Sequence, residues 1–140
     1  MIRELCVTLS YAVVALTGPA CQRSTPAWRG AEFREVRSMN ELPTAVQRQL
    51  HVGRDLSTGI ADPGQPFNPS DLITDPRWPS SRLVVAGRAG ESWVVAIERG
   101  GFAYGVEILL FEKPELPALR LRWVSEPPKS YRDLLRWLPK

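Results

Sequence analysis

The side chains able to do covalent or acid–base chemistry are few in this 140-residue chain, and their spacing is unfavourable. There is one histidine, His51, and there are two cysteines, Cys6 and Cys21. A Ser-His-acid set would have to use His51, but no Gly-x-Ser-x-Gly elbow presents a serine to it. Two cysteines and one histidine fall short of a structural zinc site. His51 closes a segment with helical spacing, where an imidazole meets the favourable field of the last carbonyls. Carboxylates are the remaining candidates. Asp55, Asp62, Asp71 and Asp75 crowd one stretch together with Asn68. Their oxygens suit calcium, yet the Asp-x-Asp-x-Asp-Gly run of an EF-hand is missing. Asp62-Pro63-Gly64 reads more simply as a turn. Glu98 and Glu107 would share a sheet face if their strands turn at Gly100-Gly101, and two carboxylates held several ångströms apart can cleave glycosides. None of these groups forms a complete set, so no catalytic residue, metal or cofactor is assigned.

Basic residues offer a different chemistry. Arg99, Arg120 and Arg122 would suit an anionic partner such as a lipid headgroup or an acidic protein. The excess of Lys and Arg over Asp and Glu is small, 18 against 15, and the arginines are scattered among acids. A nucleic-acid partner is therefore not expected. No glycine-rich phosphate loop is present, because Gly100-Gly101 lies between two strand-like runs and not at a strand-to-helix junction. A hydrophobic share of 44% with 24% charged residues is globular composition and excludes both a disordered chain and a multi-span membrane protein.

The N-terminus reads as an address. Arg3 precedes an apolar run from Leu5 to Leu16, followed by small residues before Cys21, which is the layout of an export signal. The run is too short and too interrupted, by Thr8, Ser10, Thr17 and Pro19, for a spanning helix. The end of the segment, Leu16-Thr17-Gly18-Pro19-Ala20-Cys21, resembles the lipobox of bacterial lipoproteins, with Gly18 standing where that family usually has Leu. The resemblance implies lipid attachment at Cys21, residence in the bacterial cell envelope and contact with a membrane through the anchor. Cleavage after Ala20 without lipidation is the competing route, which would leave a freely periplasmic protein. Cys6 lies in the segment removed, so the exported chain holds one cysteine and no internal disulfide.

The remaining elements must position whatever acts. Residues 21–31 are expected to be a tether and 32–140 a single α+β domain. Glu32 to Arg37 has the look of a short strand. Leu42, Val46 and Leu50 lie one turn apart and predict a helix over 42–50, introduced by Ser38-x-x-Glu41 and ended by Gly53. From Arg54 to Ser81, five prolines forbid regular structure. Loops of this length inside a domain are usually functional, and Asp62, Phe67, Asn68, Asp71 and Trp78 are its candidate interaction residues. Ile60, Phe67, Leu72, Ile73 and Trp78 are expected to pin it to the core. A four-stranded antiparallel meander follows, with turns at Arg88-Ala89-Gly90, at Gly100-Gly101 and at Pro114 to Pro117. The Gly100-Gly101 turn pairs Ile97 with Tyr104, Val95 with Val106 and Trp93 with Ile108 on one apolar face. Leu119, Leu121 and Trp123 alternate with Arg120 and Arg122, which predicts a half-buried last strand. Ser130 and Asp133 cap a final helix whose stripe is Tyr131, Leu134, Leu135 and Leu138. Helices from the two ends of the chain are expected to pack the sheet. The functional expectation is an envelope binding module for an unknown protein or envelope component. The alternative is a small periplasmic hydrolase or metal-dependent enzyme using loop or sheet carboxylates.

Overall fold

The computed structural model describes residues 26, 28–51 and 59–140. The expected signal segment, Cys21, Gly53 and Asp55 lie outside them. Five strands form one antiparallel sheet in the order β1-β2-β3-β4-β5: β1 Arg34–Val36, β2 Ser81–Ala89, β3 Ser92–Arg99, β4 Gly105–Phe111 and β5 Leu119–Val124. Two helices accompany it, α1 Thr44–Leu50 and α2 Tyr131–Leu135. The α+β expectation holds at this level. The sheet has five strands where four were expected, because Arg34–Val36 joins it against Ala86–Arg88.

The pairing corrects two turns. β2 and β3 meet at Ala89↔Ser92, so Gly90-Glu91 is a two-residue turn with Gly90 at φ 59, the position that a II′ turn gives to glycine. β3 and β4 pair as Arg99↔Gly105, Ile97↔Glu107, Val95↔Leu109 and Trp93↔Phe111. The connection therefore spans 100–104, and β4 is displaced by three residues from its expected register. An odd displacement turns every β4 side chain to the other face. The cause is Ile108-Leu109-Leu110-Phe111, an unbroken apolar run that carries no alternation to fix the register and that suits a strand buried on both sides.

Both sheet faces are accordingly covered. Trp93, Val95, Ile97, Leu109 and Phe111 pack with Leu42, Val46 and Leu50. Val94, Ala96, Val106, Ile108 and Leu110 pack with Leu134, flanked by Tyr131, Leu135 and Leu138 of the expected stripe. A three-residue 3₁₀ turn, Met39–Glu41, precedes α1, so the Ser38 hydroxyl caps this turn and Pro43 occupies the N-cap of α1. At α2 the Asp133 carboxylate accepts from the Ser130 N–H at 3.1 Å and from its hydroxyl at 3.4 Å, as the cap pattern predicts. Trp28 is buried with the α2 face, so the folded body begins within the expected tether. β5 departs from its expected half-burial: Leu119 and Trp123 are 51% and 43% exposed, because the strand forms the outer edge of the sheet.

Candidate functional site

The long loop is built around Asn68. Its carbonyl oxygen accepts from the backbone N–H groups of Thr74 (3.0 Å) and Asp75 (3.4 Å), while its amide donates to the carbonyls of Asp75 (2.9 Å) and Trp78 (2.8 Å). Its own N–H reaches the Pro79 carbonyl at 2.8 Å. A buried amide with every strong valence used is a structural hub. Asp62 has a similar role, accepting from the Met39 N–H at 2.6 Å and from the Ser38 hydroxyl at 3.4 Å, which fixes the entry to α1. Phe67 is buried beneath the Arg82 guanidinium, 4.3 Å from its ring centre. Trp78 is half-buried and closes a turn on Asp75. Of the five expected interaction residues, Asp71 alone is fully at the surface.

The loop also departs from expectation in its apolar residues. Phe67 is pinned to the body, and Ile60 packs against the α1-side core. Leu72 and Ile73 instead stand 76% and 65% exposed, carried outward by the turn that Asn68 ties off. Arg77 binds Asp75 through its Nη2 at 2.7 Å. The side-chain hydrogen bonds from Arg77 hold the Asp75 carboxyl down at about 2.

Glu98 and Glu107 lie on opposite faces of the sheet, since Glu98 pairs with Val106 and Glu107 with Ile97. They cannot flank one glycosidic bond. Each is held by arginine. Glu98 accepts from Arg82 Nε at 2.6 Å and from the Tyr104 hydroxyl at 2.7 Å. Burial, reinforced by this bond to a carboxylate, pushes the Tyr104 phenol up to about 12. Glu107 accepts from Arg99 Nε at 3.1 Å and from Arg120 Nε at 2.6 Å. Arg99 further donates to the Leu50 carbonyl at 2.9 Å, which ties the carbonyl end of α1 to the sheet. Of the arginine group read from the sequence, Arg99 is buried structure, whereas Arg120 and Arg122 are exposed.

A groove of about 530 Å³ runs between α1 and β5, lined by Gln49, Arg99, Glu107, Leu109, Ala118 and Arg120. Its polar walls are already engaged with one another, since the Gln49 amide clamps the carbonyls of Pro114 and Leu116 and the N–H of Ala118. His51 closes α1 as its C-cap. Among the described residues, no group of three or more His, Cys, Asp or Glu side chains is placed to hold a metal ion.

Among the described residues, the three most exposed large apolar side chains are Phe102, Leu72 and Ile73. Phe102 is 96% exposed at the tip of the 100–104 connection. Gly100 donates to the Ser80 carbonyl at 2.8 Å, and a Cβ there would strike the Asn68 carbonyl, so the Leu72–Ile73 turn and Phe102 belong to the same end of the sheet. Tyr104 is at that end too, as is Trp123, which lies across Gly105. This group is not legible in the sequence, where the spacing of Leu72, Ile73 and Trp123 assigns them to the core. The chain enters at the other end, since Arg34 pairs with Arg88 next to the Gly90 turn. An eight-residue strand such as β3 separates the two ends by about 25 Å.

Comparison with known proteins finds no matching family model, no matching curated protein and no matching solved structure. Among the described residues, no helix is long and apolar enough to cross a membrane.

Proposed function

We propose that this chain is an exported protein of the bacterial envelope, lipid-anchored at Cys21, whose domain binds another protein through the sheet end that carries Leu72, Ile73, Phe102, Tyr104 and Trp123. The observation that carries this reading is the exposure of Phe102, Leu72 and Ile73 in two loops tied to each other. Neighbouring apolar side chains left in water are a mark of an interaction surface. The entry of the chain at the opposite end supports a protein partner over the bilayer. Residues 21 to 28 reach at most about 25 Å even when fully extended. An anchor at Cys21 therefore holds the domain close to the lipid while Phe102 lies at the sheet end opposite to the one where β1 begins.

Metabolic labelling with a fatty acid tests the anchor. The wild-type chain takes label and Cys21→Ala takes none, whereas an unlabelled, freely soluble mature protein would refute the anchor. A photo-reactive benzoylphenylalanine at position 102 tests the binding end, with position 116, at the opposite end and 46% exposed, as its control. One discrete adduct from position 102 and none from position 116 is the expected result. Equal adducts from both positions, or none from 102, would remove the support for this surface.

A further inference from the structure

We infer that the outer edge of β5 accepts an extended acidic peptide segment as a sixth strand; this deepens the binding reading above and rests on it. A sheet has two edges, and here they are treated differently. On the β2 side, β1 covers Ala86–Arg88. Further along, Ala61 bridges the strand, donating to the Ser81 carbonyl at 3.0 Å and accepting from the Leu83 N–H at 2.8 Å. The second edge strand is therefore β1, whose three residues offer too short a template for a partner strand. On the far side β5 pairs with β4 alone, and among the described residues no hydrogen bond reaches Leu119–Val124 from its outer side. A six-residue strand with free outward N–H and C=O groups is a template for strand addition.

Charge selects the occupant. Arg120 and Arg122 are the only ionisable residues in Leu119–Val124, and both are exposed. Arg120 uses Nε for Glu107, which leaves its Nη atoms without a partner among the described residues. Arg122 makes no ion pair among them. The bulge puts Arg120 on the Leu109 face and Arg122 on the Ile108 face, so a strand bearing carboxylates on both of its faces would meet both guanidinium groups, and charge-assisted bonds of this kind are the stronger ones. A second copy of this chain would bring the same two cations to the seam and no carboxylate from β5, which opposes association. The pairing Leu109↔Arg120 and Ile108↔Arg122 leaves Leu121 as a bulge, and a bulge on an edge discourages indiscriminate pairing. Exposed Leu119 and Trp123 supply apolar contact at the two ends of the strand.

The test uses the full chain, isotopically labelled, and a blocked peptide repeating Glu-Glu-Val-Val, which presents carboxylates to both faces. Amide shifts confined to Leu119–Val124 and its β4 neighbours are expected, with affinity that weakens as salt rises. Arg122→Glu should weaken binding at least tenfold; Arg120→Gln, which spares Glu107 a like charge, should weaken it less. A peptide N-methylated at alternate amides should not bind. The proposal is overturned if shifts fall elsewhere, if a Lys-Val peptide binds equally, if nothing binds at millimolar peptide, or if the free chain dimerises through β5. Failure here with position-102 adducts intact removes only the β5 inference, whereas loss of those adducts removes the binding surface itself.

Discussion

Asn68 holds the loop because an amide carries donors and acceptors at once. Asn68→Asp keeps the shape but replaces two donors by oxygen, setting a carboxylate against the Asp75 and Trp78 carbonyls. The expected loss is about 2–4 kcal/mol, read from urea unfolding at neutral pH, and an unchanged midpoint would remove Asn68 from its place as the hub. Tyr104 gives a second prediction at this scale. Its phenol ionises at about 12 in the fold against an ordinary value of 10.0. A raised pKa means that the neutral form is favoured by folding, so this contribution to stability is complete below pH 10 and is lost as pH rises through about 12. Ultraviolet titration should show a late phenolate step that Tyr104→Phe deletes. A Tyr104 step at pH 10 would contradict the burial and the Glu98 bond. Neither role is legible from residue types alone: Asn68 and Asp62 stand out as candidates for interaction because polar loop residues carry no sign of whether they face water or a carbonyl.

Elements were legible where the local pattern admits one solution. The Ser130 and Asp133 cap, the Leu134 stripe and the Val46 to Leu50 face all occur as their spacing requires. The hairpin between β3 and β4 had two solutions. Gly100-Gly101 satisfies a two-residue turn, and Phe102-Ala103-Tyr104 passes for strand, but only the longer connection lets Arg99 pair with Glu107 and lets Gly100 donate to Ser80. Those are contacts between segments distant in sequence, invisible to periodicity. β5 departs for another reason: the bulge at Leu121 shifts the pairing, so Trp123 shares a face with Arg120 and Leu119 with Arg122, and the alternation written in the sequence does not separate a dry face from a wet one. Two glycines separate the longer turn from the shorter. Gly100→Ala would drive its Cβ into the backbone carbonyl of Asn68, which cannot move without breaking the loop, and at least about 2 kcal/mol should be lost. Gly105→Ala meets the Trp123 indole instead. That side chain is at the edge and can swing away, so a smaller loss with altered tryptophan fluorescence is expected. A reversed order of costs would favour the two-residue turn.

At the scale of the molecule, the sheet is covered on both faces and β2 is flanked by β1 and Ala61, while one end and the β5 edge stay open. Stability and binding are therefore separable by position. A Leu72→Ser, Phe102→Ser double substitution removes side chains that are already in water after folding, so no transfer free energy is forfeited and the unfolding free energy should stay within about 0.5 kcal/mol per site. Trp28→Ala, by contrast, opens a cavity in the α2-side core and should cost about 3–5 kcal/mol. Chemical denaturation of both variants beside the wild type measures the contrast. If the double substitution costs as much as Trp28→Ala, then Leu72 and Phe102 support the fold, and their exposure would not signal a partner. If it is neutral and abolishes adducts from a photo-reactive group placed at Tyr104, those apolar side chains serve a surface that water alone does not require.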